Sequence, residues 1–444
     1  MRGIEGALLV LSEVENGAFA AESIRRAWEN IVPSERSLTT TLVYITLRKL
    51  GLWKHLLMKY CKRPVGSLHP KTVSVLLPGI AGVIDLKHFK PGVLVNALVQ
   101  QVKDIKDKSG APGEAALVNA VLHTVMEHAP AYIDSLMKAP AMRDQALACG
   151  VPGWAAAEWS ADWGMKVAKH LVALSAQETY MSLRASPGVD RVKWSEGYGE
   201  SAALPSVYLS SSIRVESNPY PPALPGYSEG LVTPQGESSM WAVESLLANW
   251  SGGKLLDMCA GRGVKSGHIL SFMADAEIEG WDISQAKVRA AEREMRRLRV
   301  HGRAEFVPGD ALTLTPKASP SAILLDAPCS GSGTWGRHPE GKWRMSREKL
   351  KRAADLQMRL FSRAVDLLSP GGIIIYCTCS VFREENEQVV GAVLAKRSDL
   401  VELPLKSKWP FREFERRGKP YGTVVFPETP WTDGFYAVLF RKKH

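Results

Sequence analysis

Cysteine is scarce in this chain, with 6 among 444 residues, and the only tight spacing is Cys377-x-Cys379. Six scattered thiols exclude a disulfide framework, and without two separated ligand pairs a zinc knuckle is not expected either. Also missing is any run approaching the roughly 20 apolar residues of a membrane-spanning helix. The opening MRGIEGALLVLSEVENGAF is broken by Glu too soon for a signal peptide, so a soluble, cytoplasmic protein with no metal is expected. No GxxxxGK followed by Ser or Thr occurs, which removes the common phosphate loop. Acidic residues are outnumbered: 46 Asp plus Glu against 56 Lys plus Arg give a formal charge of +10. That excess tilts toward a polyanionic partner such as RNA or DNA.

What is present is an ordinary globular composition, 45% apolar and 23% charged, in a chain too long for a single core. Residues 1–135 carry apolar positions at spacings of three and four, as in FAAESIRRAWENIV and GEAALVNAVLHTVMEHA, and read as helical. Residues 136–245 mix helices with short strands such as YMSLRAS, followed by a Pro- and Gly-rich connector, and suggest a small α/β subdomain. Residues 246–444 alternate strands and helices, the pattern of βα units building a mainly parallel, Rossmann-like sheet, with the tail closing its edge.

Functional residues are expected at the carboxyl ends of those strands. In KLLDMCAGRGVKS, Gly261 and Gly263 allow a tight turn and close approach to a ligand, although such turns also precede helices for packing reasons alone. The turn lacks the full dinucleotide fingerprint. The next strand ends at Asp282, placed to accept ribose hydroxyls, and a third ends at Asp310, suited to an adenine amino group. Each Asp alone also reads as a cap or turn residue. Asp257 would lie near a methionine ammonium. Taken in order, these strand ends point to S-adenosylmethionine rather than a nicotinamide.

At the reacting end, a nearly apolar strand delivers Asp326, Pro328 and Cys329, and a second delivers Cys377 and Cys379, which share one face of the strand. Cys61 and Cys149 read as core, and Cys377 as packing. A methyltransferase needs a thiolate when its target is a poor nucleophile, as ring carbon 5 of a pyrimidine is. Addition of the thiolate to carbon 6 makes carbon 5 enamine-like. A protonated Asp326 bonded to ring nitrogen 3 would stabilise the adduct, and a second cysteine would help its release. Arg337, His338, Lys342 and Trp343, just beyond Cys329, read as a loop for RNA contact.

LLDAPCSGSG...RHPEGKW and GGIIIYCTCSVFREENEQVV resemble the two cysteine blocks of the RNA 5-methylcytosine methyltransferase family, in particular its bacterial Sun-type branch. The resemblance implies Cys379 as nucleophile, Cys329 as the thiol that assists release, and Asp326 as the carboxylate beside them. CAGRGVKS is similar to the family's cofactor turn at Cys259, Ala260, Gly263, Lys265 and Ser266, and departs from it at Gly261, Arg262 and Val264. The implied cofactor set is Cys259, Ala260, Gly261, Gly263, Lys265, Asp282, Asp310 and Asp326. Gly236 stands where an acidic residue is usual, and the N-terminal helices resemble the NusB fold, an RNA-binding module. The implied fold is a Rossmann-like class I methyltransferase domain after a NusB-like helical domain and a small α/β connector. The implied partner is small-subunit ribosomal RNA or an assembly intermediate, met by a monomer. Rival readings are a tRNA substrate, Cys329 as the nucleophile, and an RNA-binding scaffold without catalysis.

Overall fold

The computed structural model describes residues 3–87, 89–103, 113–199, 202–406, 421–427 and 430–444. The Pro and Gly boundary at 108–112, and positions 428–429 of the closing strand motif, lie outside them. The chain divides into two compact units, Met1–Gln177 with Trp335–Arg344, and Glu178–Thr334 with Met345–His444.

The first unit is helical. Pro33, Pro70 and Pro91 each open a helix, where a missing N–H costs nothing and the fixed φ suits the first turn. The apolar stripes of these helices converge on a core that includes Leu42, Leu52, Trp53, Leu56, Leu76, Leu98 and Leu122, all fully buried. The helices Met142–Ala148, Gly153–Trp163 and Met165–Ser175 fall in this unit.

The segment 335–344 also belongs to it, which corrects the reading of Lys342 and Trp343 as RNA contacts, while Arg337 stays half-buried and His338 exposed. Lys342 is fully buried, and its ammonium donates to the carbonyls of Arg48 and Ser175 at 2.6 and 2.9 Å. Trp343 donates to Leu47 O at 2.7 Å, and Arg344 to Val14 O at 2.8 Å. Trp335 packs on Trp159 with ring centroids 5.5 Å apart. Burial, reinforced by the charge of Arg48, pushes Lys342 down to about 7.

The second unit contains two sheets. The smaller is antiparallel and built from β1 (Met181–Ala185), β2 (Ala203–Pro205), β3 (Ser212–Val215) and β4 (Val232–Pro234), in the order β2-β3-β1-β4. The larger contains β5 (Gly253–Asp257), β6 (Ala276–Asp282), β7 (Ala304–Pro308), β8 (Ala322–Asp326), β9 (Ile373–Thr378), β10 (Leu400–Leu403), β11 (Thr423–Val425) and β12 (Phe435–Lys442). Its order is β10-β12-β9-β8-β5-β6-β7, with β11 also paired to β12.

β5 to β9 are mutually parallel, while β12 runs antiparallel to β9. The tail carries the sheet past β9 to its edge: β12 pairs with β9 on one side and with β10 and β11 on the other. Every residue of β9 is buried, as expected for a β-branched run covered on both faces. The chain winds from β5 outward through β6 and β7, then crosses to β8 and β9 on the other side. This reversal puts the topological switch point, where such sheets bind their ligands, at the carboxyl ends of β5 and β8.

Candidate active site

The β5 end holds the glycine turn. Gly261 and Gly263 both have positive φ, 57° and 77°, and Gly263 caps the helix Val264–Phe272. A Cβ on Gly263 would come within 3.0 Å of Ala291 Cβ, so the turn is tight as well as left-handed. Asp282, at the end of β6, accepts from Gly261 N at 3.0 Å through Oδ2 and from Ser284 N at 2.8 Å through Oδ1. The next residue, Ile283, is 78% exposed, an isolated apolar side chain at a polar rim that sequence patterning did not single out.

Asp257 is buried. Its Oδ2 accepts from Ser266 Oγ at 2.5 Å, while Oδ1 has no partner, and burial pushes the carboxyl up to about 7. An orphaned buried oxygen beside a glycine cradle suits the ammonium of an amino-acid cofactor moiety. Cys259 is half-buried, and Ala260 is fixed by its N–H to Trp281 O at 2.8 Å. Asp310 is exposed, and its Oδ1 caps the following turn by accepting from Leu312 N at 2.9 Å.

The β8 and β9 ends hold the thiols. Asp326 and Cys377 are register partners, and Cys379 follows β9 directly. The sulfurs of Cys329 and Cys379 are 3.4 Å apart. The contact with Cys379, together with burial, pushes the Cys329 thiol well above its ordinary range, so Cys329 keeps its proton.

Asp326 was expected to be a hydrogen-bond donor. In the folded chain both of its oxygens accept instead, Oδ2 from the Lys265 ammonium and Oδ1 from Cys377 Sγ at 3.6 Å. Lys265, expected to line the cofactor, is thereby turned to the reacting end, with Phe435 beneath it at 5.6 Å. Burial opposes charge on Lys265, but the Asp326 carboxylate outweighs it and holds the ammonium above its usual range. Asp326 keeps 31% of its side-chain surface open. Burial pushes Cys377 well up, in keeping with a packing role.

Two polar groups behind the thiols were not among the expected site residues, although one of them lies within the block GGIIIYCTCSVFREENEQVV that carries the family resemblance. Glu385 sits in REEN, whose acids read as helix-opening residues, and Gln357 lies inside the helix Arg347–Leu367; both are fully buried. The Cys329 loop is also bound backbone to backbone. Gly333 N donates to Cys379 O at 2.9 Å and Gly434 N to Gly333 O at 2.8 Å, and a Cβ on Gly333 would fall 2.1 Å from Gly434 O. Among the described residues, no group of three His, Cys, Asp or Glu side chains is placed to share a metal ion, and no helix is long and apolar enough to cross a membrane.

Residues 244–441 match the profile of the family described as 16S rRNA methyltransferase RsmB/F, and residues 5–127 that of the NusB family. Ribosomal RNA small subunit methyltransferase B of Thermus thermophilus is 29% identical over 98% of this chain and 96% of its own length. The protein of the same name from Xanthomonas campestris is 26% identical, over 92% of this chain and 90% of its own. The crystal structure of PH0851 superposes with a TM-score of 0.80 over 99% of this chain and 98% of its own, at 21% identity, a likeness of fold.

Proposed function

We propose, from the premise that the chain belongs to the 16S rRNA methyltransferase RsmB/F family and is an S-adenosylmethionine-dependent RNA methyltransferase, that it methylates carbon 5 of a cytosine in small-subunit ribosomal RNA through a covalent adduct on Cys379. The observation that carries this reading is the pair of sulfurs 3.4 Å apart beside the Lys265–Asp326 pair, at the carboxyl ends of neighbouring strands. The residues fit the cofactor. Asp257 offers a free oxygen to its ammonium, Asp282 and the glycine turn hold the ribose side, Ile283 gives an apolar face to the base, and Asp310 lies at the rim. When bound, the cofactor supplies the electrophilic methyl group.

Cys379 adds as thiolate to carbon 6, and the electron pair moves toward ring nitrogen 3. There the proton shared by Lys265 and Asp326 is at hand to neutralise it, and an oxygen of Asp326 accepts from the exocyclic amine, which distinguishes cytosine from uracil. Carbon 5, now enamine-like, would form the new carbon–carbon bond as the methyl group's bond to the cofactor's sulfonium sulfur breaks. Loss of the carbon 5 proton to a base, and return of the nitrogen 3 proton to the Lys265–Asp326 pair, then let the carbon 6–sulfur bond break. Cys329, the sulfur that keeps its proton, returns the departing Cys379 to a shielded thiolate by hydrogen bonding. In functional terms the helical unit grips RNA through residues 1–135, and the unit that holds both sheets carries out the chemistry. The protein acts as a cytoplasmic monomer on the RNA or an assembly intermediate.

A 5-fluorocytosine-substituted small-subunit RNA fragment is expected to trap the chain covalently at Cys379, located by peptide mapping. An adduct on Cys329 alone overturns the assignment. Cys379→Ser is expected to abolish both transfer and trapping, whereas Cys329→Ser is expected to accumulate adduct with natural RNA.

A further inference from the structure

Cys329 sits on a loop, yet its sulfur must be placed to within a fraction of an ångström of Cys379 if the two are to act on one ring. The residues flanking it are both bound, and by the same pair of side chains. The Glu385 carboxylate accepts from Ser330 N at 2.7 Å and from Ser330 Oγ at 2.5 Å. Gln357 donates through Nε2 both to Pro328 O at 2.9 Å and to Glu385 Oε1 at 3.1 Å. Glu385 follows Cys379 by six residues, and its own carbonyl accepts from Tyr376 OH at 2.6 Å, which ties it back to β9. One carboxylate thus joins the strand that carries one sulfur to the loop that carries the other.

We infer that Glu385, with Gln357, is a positioning residue for the methyl-transfer reaction, a clamp that sets the distance between Cys329 and Cys379 without touching substrate. The alternative of ordinary core filling does not account for the choice of groups. A buried carboxylate is costly, and burial does push Glu385 upward; a site needing only volume is better served by an apolar side chain. The Glu385 carboxylate accepts twice from Ser330, just after Cys329, and once from Gln357, whose amide also donates to Pro328 O, just before it. Such a clamp governs the step that needs both thiols, the release of the adduct, more than the binding of cofactor or RNA. This assignment rests on the covalent reading of the thiol pair.

Phenylarsine oxide, which condenses with two neighbouring thiols and releases water, tests the geometry directly. The native chain is expected to give a bridge mapped to Cys329 and Cys379. Glu385→Ala is expected to lose that bridge, to lower kcat by roughly 10- to 100-fold, as displacement by about an ångström does, and to leave KM for S-adenosylmethionine within about twofold. Adduct with natural RNA should accumulate, and Glu385→Asp should recover part of both signals. If Glu385→Ala does not fold, Gln357→Leu and Ser330→Ala each remove one arm of the clamp and are expected to show the same split more weakly. Folded variants that bridge and turn over like the native chain overturn the proposal, as does a loss confined to KM. Bridging needs neither RNA nor cofactor. A native chain that bridges but transfers no methyl group therefore overturns the covalent reading, while loss of bridging in the variant still supports the clamp.

Discussion

Two buried lysines, one in each unit, show how differently the same side chain is used. Lys265, at the carboxyl edge of the parallel sheet, faces the Asp326 carboxylate and keeps its charge, with its pKa held above the usual range. Lys342, in the segment that belongs to the helical unit, meets the carbonyls of Arg48 and Ser175 and no carboxylate among the described residues, and is pushed down to about 7. Both sites desolvate the ammonium; the partner decides the outcome, because a full opposite charge compensates burial and two dipoles do so only in part. The first lysine is therefore a charge reserved for chemistry, and the second a three-donor staple for helix-end carbonyls.

Substitutions at the two positions should separate along that line. Lys265→Met is expected to cost the largest effect, roughly 10²–10³ in kcat, typical of removing one group that stabilises developing charge, with calorimetric binding of S-adenosylmethionine little changed. A loss seen only in cofactor affinity would return Lys265 to the cofactor set. Lys342→Met is expected to leave kcat in place and lower stability by about 1–3 kcal/mol, the cost of stranding buried acceptors, measured by urea unfolding.

The sign of the pH effect follows from linkage. The folded chain holds Lys342 near 7, below the ordinary lysine value of 10.5, so the unfolded chain binds more protons between those limits. This group makes stability rise as pH rises from about 7 toward 10.5, and Lys342→Met should flatten that slope.

Asp257 sharpens the comparison with a buried group of the opposite sign. Its folded carboxyl lies near 7, above the ordinary 3.8, so its contribution makes stability fall as pH rises from about 4 to 7. Cofactor binding should run the other way. The ionised carboxylate is the form that attracts an ammonium, so affinity for S-adenosylmethionine should weaken by up to about tenfold per unit below pH 7. Asp257→Asn should bind more weakly throughout and lose that slope, as read by titration calorimetry across pH 5.5–8. A native chain with pH-independent affinity over that range would remove Asp257 from contact with the cofactor.

The parts legible in the sequence are those encoded within a few residues. β8 and β9 announce themselves as apolar runs ending in polar residues, and the spacing inside each places Asp326, Cys329, Cys377 and Cys379 at the correct edge. The glycine turn was visible for the same reason. What escaped depends on chain folding over long separations. Nothing in Lys265 and Asp326, 61 residues apart, declares that they pair. Lys342 and Trp343 looked like a surface cluster because a basic and an aromatic residue in a Gly- and Pro-rich loop usually are; only the helical unit's groove, built from distant residues, takes them inside. The tail was legible as closing strands, but its apolar run FYAVLF does not reveal that β10, which precedes it, pairs beside β11 on the far side of β12. Glu385 reads as a helix-opening acid of the second cysteine block and Gln357 as one polar position in a long helix, and only their convergence on Pro328 and Ser330 gives them meaning.

The contact between Gly333 and Gly434 bears on how this protein would respond to random change. Neither position offers a side chain to any substrate, yet each backbone occupies the volume a neighbour's Cβ would need. In a saturation library, both columns should empty almost as completely as that of Cys379, the proposed nucleophile. The two causes separate on a gel: glycine replacements there should deplete soluble protein, whereas loss of the thiol should leave abundant, inert enzyme.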